Sequence, residues 1–305
     1  METRYFKTLL KVIETGSFSR AAEALYITQS AASQRVKLLE EKLGHQLFDR
    51  SGQQLVPTEA GLIVAEKAKS LLQKERELLD ALKDIDGSKR LSLCCTPTFG
   101  TAYLPDVLNR FILKNADTED LKFVFSQPDQ AVQGVLNREC DIAIIEHCDA
   151  RDMTGLHTVS LPPDELVIIS SRDSGLPLTL KVEELLQHRL YARRDGCSSK
   201  KLLEKNLAGQ GESIESFEKV VISDDLRLTI ETVKAGGGVS FISNKVVEPY
   251  AGELTQHYVE GFTHKRCRTI AVKKERADDP LLLSFIACVE EMFAGDHVDS
   301  TLKCA

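Results

Sequence analysis

Residues 17–61, SFSRAAEALYITQSAASQRVKLLEEKLGHQLFDRSGQQLVPTEAG, constrain this chain more than any other stretch. Within them Thr28 to Gly44 reads as one helix, because the Thr28 hydroxyl can cap its start and Gly44 tolerates the left-handed turn that ends it. At about 100° per residue, Ala32, Val36, Leu39 and Leu43 fall within roughly 40° of one another and form an apolar stripe. Ser30, Ser33, Gln34 and Lys37 fall opposite, a small, polar and basic face with no bulky group to hinder entry into a groove. Ser19 to Leu25 predicts a shorter helix upstream, with Tyr26-Ile27 as the turn. Two helices, a tight turn and a polar second helix describe a helix-turn-helix, although a helical hairpin inside a larger core has the same periodicity. Downstream, Leu47-Phe48-Asp49-Arg50 and Gln53-Gln54-Leu55-Val56 read as two short strands around Ser51-Gly52, which would make a wing.

GSFSRAAEAL, TQSAAS, LLEEKLGHQLFDR and LVPTEAG, in this order and spacing over about sixty residues, resemble the N-terminal domain of LysR-type transcriptional regulators. Two departures stand out. Ser30 occupies the place where that family usually has Pro after the Gln of its recognition helix, and Gln53 and Gln54 lie where a basic wing residue is frequent. On this reading Ser33, Gln34 and Lys37, flanked by Gln29 and Arg35, meet the major groove. Thr28 and Ser30 suit phosphates, and Arg50 would touch backbone or the minor groove from the wing. The partner is double-stranded DNA. Two units on a dimer require a pseudo-palindromic operator with half-sites about one helical turn, or a multiple, apart. The resemblance further implies a dimer of dimers and RNA polymerase as a partner.

Helix 2–14 places Phe6, Leu9, Leu10 and Ile13 on an inner face behind the helix-turn-helix. From Thr58 to Ile85 a long helix of about 28 residues, roughly 42 Å, carries Val64, Ala68, Leu71, Leu78, Leu82 and Ile85 at four-three spacing, broken by Glu75. This stripe reads as a dimer seam, or as a face packed on its own domain. Asp86-Gly87-Ser88-Lys89 makes a short linker.

After Leu91 short strands alternate with helices. Strands are predicted at Leu91–Cys95, Leu121–Ser126, Asp141–Glu146, Leu166–Ser170, Arg189–Ala192, Lys219–Ser223, Val239–Ile242 and Arg268–Val272. Helices are predicted at Tyr103–Lys114, Asp129–Arg138, Ser198–Leu207, Asp224–Ala235 and Pro280–Phe293. Such alternation implies parallel sheets covered on both faces. With CDIAII and VKAGGGVSFIS it resembles the effector-binding region of the same family. The expected fold class is therefore α/β: an all-α-dominated winged helix-turn-helix, then a two-lobed, periplasmic-binding-protein-like (type 2) effector domain. The expected boundaries are 1–58 for DNA binding, 59–87 for the linker helix and 88–305 for the effector domain. Lobe I covers about 91–161 and 267–296, and lobe II about 162–266.

Ligands of open α/β sheets sit beyond strand carboxyl ends, where helix N-termini present free N–H groups. Those places are Thr96, Pro97, Thr98, Phe99, Gly100 and Thr101 with Ser126 and Gln127 in one lobe, and Arg193 to Ser199 with Ser223-Asp224 in the other. Thr96, Thr98, Phe99, Gly100, Ser126, Gln127, Arg193, Cys197 and Ser198 are the candidate contacts to a small effector, an anion by the donors available. Thr98 and Ser198 would equally serve as plain helix caps. Cys197, beside Arg193 and Arg194 at a helix start, admits a thiol-based redox regulator as an alternative.

The net charge of −7 hides an asymmetry: residues 1–90 hold 15 Lys+Arg against 13 Asp+Glu, and the rest 24 against 33. A mildly basic N-terminal unit is compatible with phosphate binding and implies affinity shared across several copies. The longest apolar run, Leu281 to Val289, is nine residues and contains Ser284, too short for a membrane span. METRYFKTLLKVIE alternates charged and apolar residues and is no signal peptide, so a cytoplasmic location without membrane association is expected. The eight cysteines (Cys94, Cys95, Cys140, Cys148, Cys197, Cys267, Cys288 and Cys304) include no C-x-x-C pair, and Cys140, His147 and Cys148 lack a second paired half. Neither metal nor cofactor is expected, and most of the cysteines read as buried small hydrophobes. An enzyme or solute-binding protein with an appended helical module is the competing class, but G-x-S-x-G, P-loop, H-E-x-x-H and a strand-following G-x-G-x-x-G are all absent.

Overall fold

The computed structural model describes residues 2–49, 55–85 and 89–294. The chain divides into two compact units, Met1–Ser88 and Lys89–Ala305.

The first unit contains α1 (Thr3–Thr15), α2 (Phe18–Ala24), α3 (Gln29–Leu43), β1 (Phe48–Asp49), β2 (Val56–Pro57) and α4 (Glu59–Ile85). Its core joins Phe6, Leu9 and Val12 of α1 to Val36 and Leu39 of α3, Phe48 of β1, and Ala68 and Leu72 of α4. Thr58 caps α4, its hydroxyl accepting from Gly61 N at 3.0 Å and donating to Gln46 O at 2.7 Å. Gly61 has to be glycine, since a Cβ there would collide with the carbonyl of Leu47. The glutamate that interrupts the α4 stripe is explained locally: Glu75 accepts from the Thr3 hydroxyl at 2.7 Å and lies 3.5 Å from the Lys7 ammonium. Ala68 is fully buried, whereas Leu71, Leu78 and Leu82 are about half exposed. The early turns of α4 thus pack on their own unit, and its later leucines stand in solvent.

The second unit runs β3 (Lys89–Cys95), α5 (Pro97–Ala102), α6 (Leu104–Lys114), β4 (Thr118–Phe125), α7 (Pro128–Leu136), β5 (Ile142–His147) and the long β6 (Leu156–Ser171). Then follow β7 (Thr179–Leu180), α8 (Val182–Leu186), β8 (Arg189–Ala192), α9 (Ser198–Gly209), β9 (Lys219–Ile222) and α10 (Leu226–Lys234). β10 (Ser240–Ser243), α11 (Asn244–Val247), β11 (Leu254–Val259), β12 (Lys265–Lys273) and α12 (Pro280–Met292) complete it. The main sheet has the order β4-β3-β5-β12-β6-β11-β7, with β10 also on β6.

The expectation of parallel sheets needs correcting. β3 is parallel to β4 and β5, and β8 to β9, but β12 runs antiparallel to both β5 and β6, and β10 and β11 run antiparallel to β6. The sheet is mixed. The cause is β6: its first half pairs with β12 and its second half with β10 and β11, so one strand serves two lobes. Strand alternation then feeds two cores. Leu166 and Ile168 pack with Leu190, Leu203 and Phe241, while Val167 and Ile169 face Ile230, Val246 and Leu254. The other lobe centres on Leu93, Phe99, Phe111, Ile144, Ile270 and Phe285.

Candidate nucleic-acid interface and ligand cleft

α3 is held at both ends by the local signals its sequence carries. The Thr28 hydroxyl accepts from Ala31 N at 3.2 Å, and Gly44 adopts φ 70° while its N–H bonds to Glu40 O at 2.9 Å. Ala32, Val36 and Leu39 are fully buried, and Leu43 is half-buried. Thr28, Gln29, Ser30, Gln34 and Lys37 are exposed, with Ser33 half-buried among them. Lys37 lies 3.7 Å from Glu41 one turn on, a solvated pair that leaves the ammonium accessible. Arg35 is turned toward α1 instead, donating to the Thr8 hydroxyl at 3.3 Å. Arg50, Gln53 and Gln54 lie outside the described residues. What the unit presents is a capped helix with a polar, sterically open face, suited to hydrogen bonding with base edges.

In the second unit, α5, α7 and α9 aim their N-termini at one cleft, lined by Thr96, Thr98, Ser126, Gln127, Arg193, Arg194, Cys197, Ser198, Ser199 and Arg266. At each of these starts (Thr96, Gln127 and Cys197) no side chain caps the helix, which leaves first-turn N–H groups facing the cleft. Gln127 donates across the mouth to the carbonyl of Asp195. Its amide fills the space a Cβ on Gly196 would need, at φ 86°, so glycine is required there on two grounds. Arg193 and Arg194 are both paired with Asp224, at 3.4 and 2.7 Å.

Two of the sequence-derived contacts do not reach this cleft. Phe99 is fully buried in the core of its lobe, and Gly100 lies beneath the Phe125 ring with no room for a Cβ. Both belong to the packing of α5, a short helix ahead of the one predicted from Tyr103. Thr96 lines the cleft, but its hydroxyl donates inward to the buried carboxylate of Glu146. Among the described residues no cluster of three His, Cys, Asp or Glu could hold a metal ion. Cys94, Cys95, Cys140 and Cys288 are buried free thiols.

Sequence reasoning missed the charges beneath the cleft. Arg266 is 3 % exposed and reaches Asp164 through Nε at 2.9 Å and Nη2 at 2.8 Å. Arg268 reaches Asp164 at 2.9 Å and Glu146 at 3.4 Å, and lies over the Tyr103 and Phe293 rings. Burial pushes the Glu146 carboxyl above the usual carboxylate range, and the two arginines oppose that shift. Sheet register brings the arginines together. Arg266 pairs with Asp164 and Arg268 with Leu161, so Cys267 faces Pro162-Pro163, where the missing proline N–H groups interrupt the ladder. Charged residues within apolar strand runs, Glu146 after IAII and Arg266-Cys267-Arg268 before TIAV, were the available signal.

Residues 3–62 match the model of bacterial regulatory helix-turn-helix proteins of the lysR family, and residues 86–294 the LysR substrate binding domain. The chain belongs to the LysR family of transcriptional regulators. An uncharacterized HTH-type transcriptional regulator, YwqM of Bacillus subtilis, is 29% identical over 258 residues, which cover 81% of this chain and 84% of the relative. Full-length CbnR in complex with its target DNA shares the fold with a TM-score of 0.59 at 20% identity, over 95% of this chain and 99% of that one. Hydrogen-peroxide-bound OxyR of Corynebacterium glutamicum, a cysteine mutant, gives 0.55 at 21% identity, over 96% and 94%. This LysR-family chain is therefore a DNA-binding transcriptional regulator with an effector-binding domain, and neither matched domain is that of an enzyme. No described helix is long and apolar enough to cross a membrane.

Proposed function

We propose that this regulator is a cytoplasmic homo-oligomer that reads a pseudo-palindromic operator through α3 and answers to a small anion in the cleft of its second unit. One observation carries the DNA half of the reading. α3 buries Ala32, Val36 and Leu39 while presenting Gln29, Ser30, Gln34 and Lys37 to solvent beside its Thr28-capped N-terminus. Gln34, with Ser33 and Lys37, reads bases; Thr28 and Ser30 hold phosphates; Arg35 supports the helix from its flank, and Arg50 adds a contact to the DNA backbone or minor groove. Operator binding modulates transcription through contact with RNA polymerase. The anion preference follows from three helix starts without side-chain caps around Thr98, Ser126, Gln127, Arg193, Cys197 and Ser198.

Oligomerisation is supported separately in each unit. Leu78 and Leu82 of α4 are 62% and 52% exposed. β4 is an edge strand carrying Phe123 and Phe125 at 49% and 55% exposure. Apolar surface of this kind favours a second copy. The domain limits that follow are 1–58, 59–87 and 88–305, with lobe I at about 91–161 and 267–296 and lobe II at about 162–266.

A gel shift of the full chain on its own upstream DNA, with random DNA as competitor, tests the DNA half. Retention that random DNA abolishes at equal mass would defeat it. For the assembly, Leu78→Asp with Leu82→Asp should lower the mass in sedimentation velocity; an unchanged mass removes α4 as the seam.

A further inference from the structure

The guanidinium of Arg266 touches both sides of the cleft at once. Its Nη1 donates to the Ser198 hydroxyl at 2.7 Å, at the start of α9, and its Nη2 to the Thr98 hydroxyl at 3.1 Å, in the first turn of α5. Asp164 holds the opposite edge through Nε and Nη2 and so fixes the plane of the fork. Arginine has no acceptor, so both hydroxyls can only accept from it. Their own protons are thereby directed away from Arg266, and among the described residues neither donates to a protein acceptor. Thr96 differs, because its proton is committed to Glu146. Ser198 is 3 % exposed, and both hydroxyls line the cleft.

Resting on the reading of this cleft as the effector site, we infer that Arg266 is a positioning residue that biases Thr98 and Ser198 toward donating their hydroxyl protons into the cleft. The cleft thereby selects a group that only accepts, such as a carboxylate or sulfate, over an isosteric group that carries N–H donors. A hydroxyl free to rotate would accommodate either kind of ligand. One that already accepts from a cation is polarised toward donating, and its remaining lone pair is the poorer acceptor, so a ligand N–H is the weaker partner there. One hydroxyl comes from each lobe, so a single oxyanion engages both.

The test uses the full chain and four probes at matched ionic strength: sodium sulfate, sodium acetate, acetamide and methylammonium chloride. Thermal shift titrations should show saturable stabilisation by sulfate or acetate and markedly less by acetamide, which replaces one acetate oxygen with an NH₂. Thr98→Val and Ser198→Ala should each weaken oxyanion binding about tenfold. Arg266→Lys keeps the charge beside Asp164 but lacks the fork, and should lose the preference for acetate over acetamide as well as affinity. If oxyanions bind through Thr98 and Ser198 while Arg266→Lys keeps the preference, the role given to Arg266 is wrong and the cleft reading stands. If Arg266→Lys does not fold, the wild-type comparison decides: acetamide binding as well as acetate overturns the inference. Oxyanion binding that is absent, or indifferent to Thr98→Val and Ser198→Ala, overturns the cleft reading and this inference with it.

Discussion

In the first unit the informative polar side chains stand in water, whereas in the second they are sealed under the sheet. Gln29, Ser30, Gln34 and Lys37 are exposed on α3, while Glu146, Asp164, Arg266 and Arg268 are between 0% and 3% exposed. A solvated side chain keeps its hydration and can be replaced with little effect on stability. A buried charge has given up hydration worth several kcal/mol, so its partners must all be present. The recognition surface of the first unit is therefore free to vary in sequence, but the charged floor of the second is bound to its geometry.

The sharpest way to break this contrast is Asp164→Ala, which leaves two buried guanidinium groups short of their shared carboxylate. Chemical denaturation should show a loss of about 3–5 kcal/mol; a loss below about 1 kcal/mol would mean that water reaches the network. Within the first unit, Leu39→Ala should cost about 2–5 kcal/mol through the cavity it leaves, while Lys37→Ala stays within about 0.5 kcal/mol. Equal effects from the two would contradict the orientation assigned to α3.

A smaller effect concerns acid. His147 and His257 are held below the usual histidine range, chiefly by burial. Each ring places one nitrogen on a carbonyl (Asp149 at 2.9 Å, Pro177 at 2.6 Å) and the other on a hydroxyl. The folded state thus binds the extra proton less readily than the unfolded chain. Their contribution is complete above about pH 6.5 and is lost as pH falls through the lowered folded values. Stability measured from pH 7.5 down to 5 should decline, and His257→Gln should flatten that decline. An unchanged slope would assign the acid sensitivity elsewhere.

What the sequence made legible was local. Thr28 and Gly44 announce α3 because caps act within four residues, and Ala32, Val36 and Leu39 mark its inner face through periodicity alone. β8, read as Arg189–Ala192, appears with those limits. Non-local pairing was hidden. Pro162-Pro163 obscured the first half of β6, although the strand continues through them by shifting register against β12. The antiparallel return of β12 between β5 and β6 depends on a partner more than a hundred residues away, beyond any local pattern. Arg266 went unnoticed for the same reason, since its importance lies in Asp164, Thr98 and Ser198, all distant in the chain. Phe99 and Gly100 stand inside α5, a six-residue helix begun by Pro97 that the predicted helix at Tyr103–Lys114 does not cover, and the packing of α5 buries both.

Sequence-specific reading by α3 is tested most directly by Gln34→Ala, with affinity measured on the upstream operator and on random DNA at one salt concentration. A lost base contact should lower operator affinity by roughly tenfold to a hundredfold, about 1–3 kcal/mol, and leave random-DNA affinity almost unchanged. An equal loss on both DNAs would make Gln34 a backbone contact and contradict its assignment as a base reader.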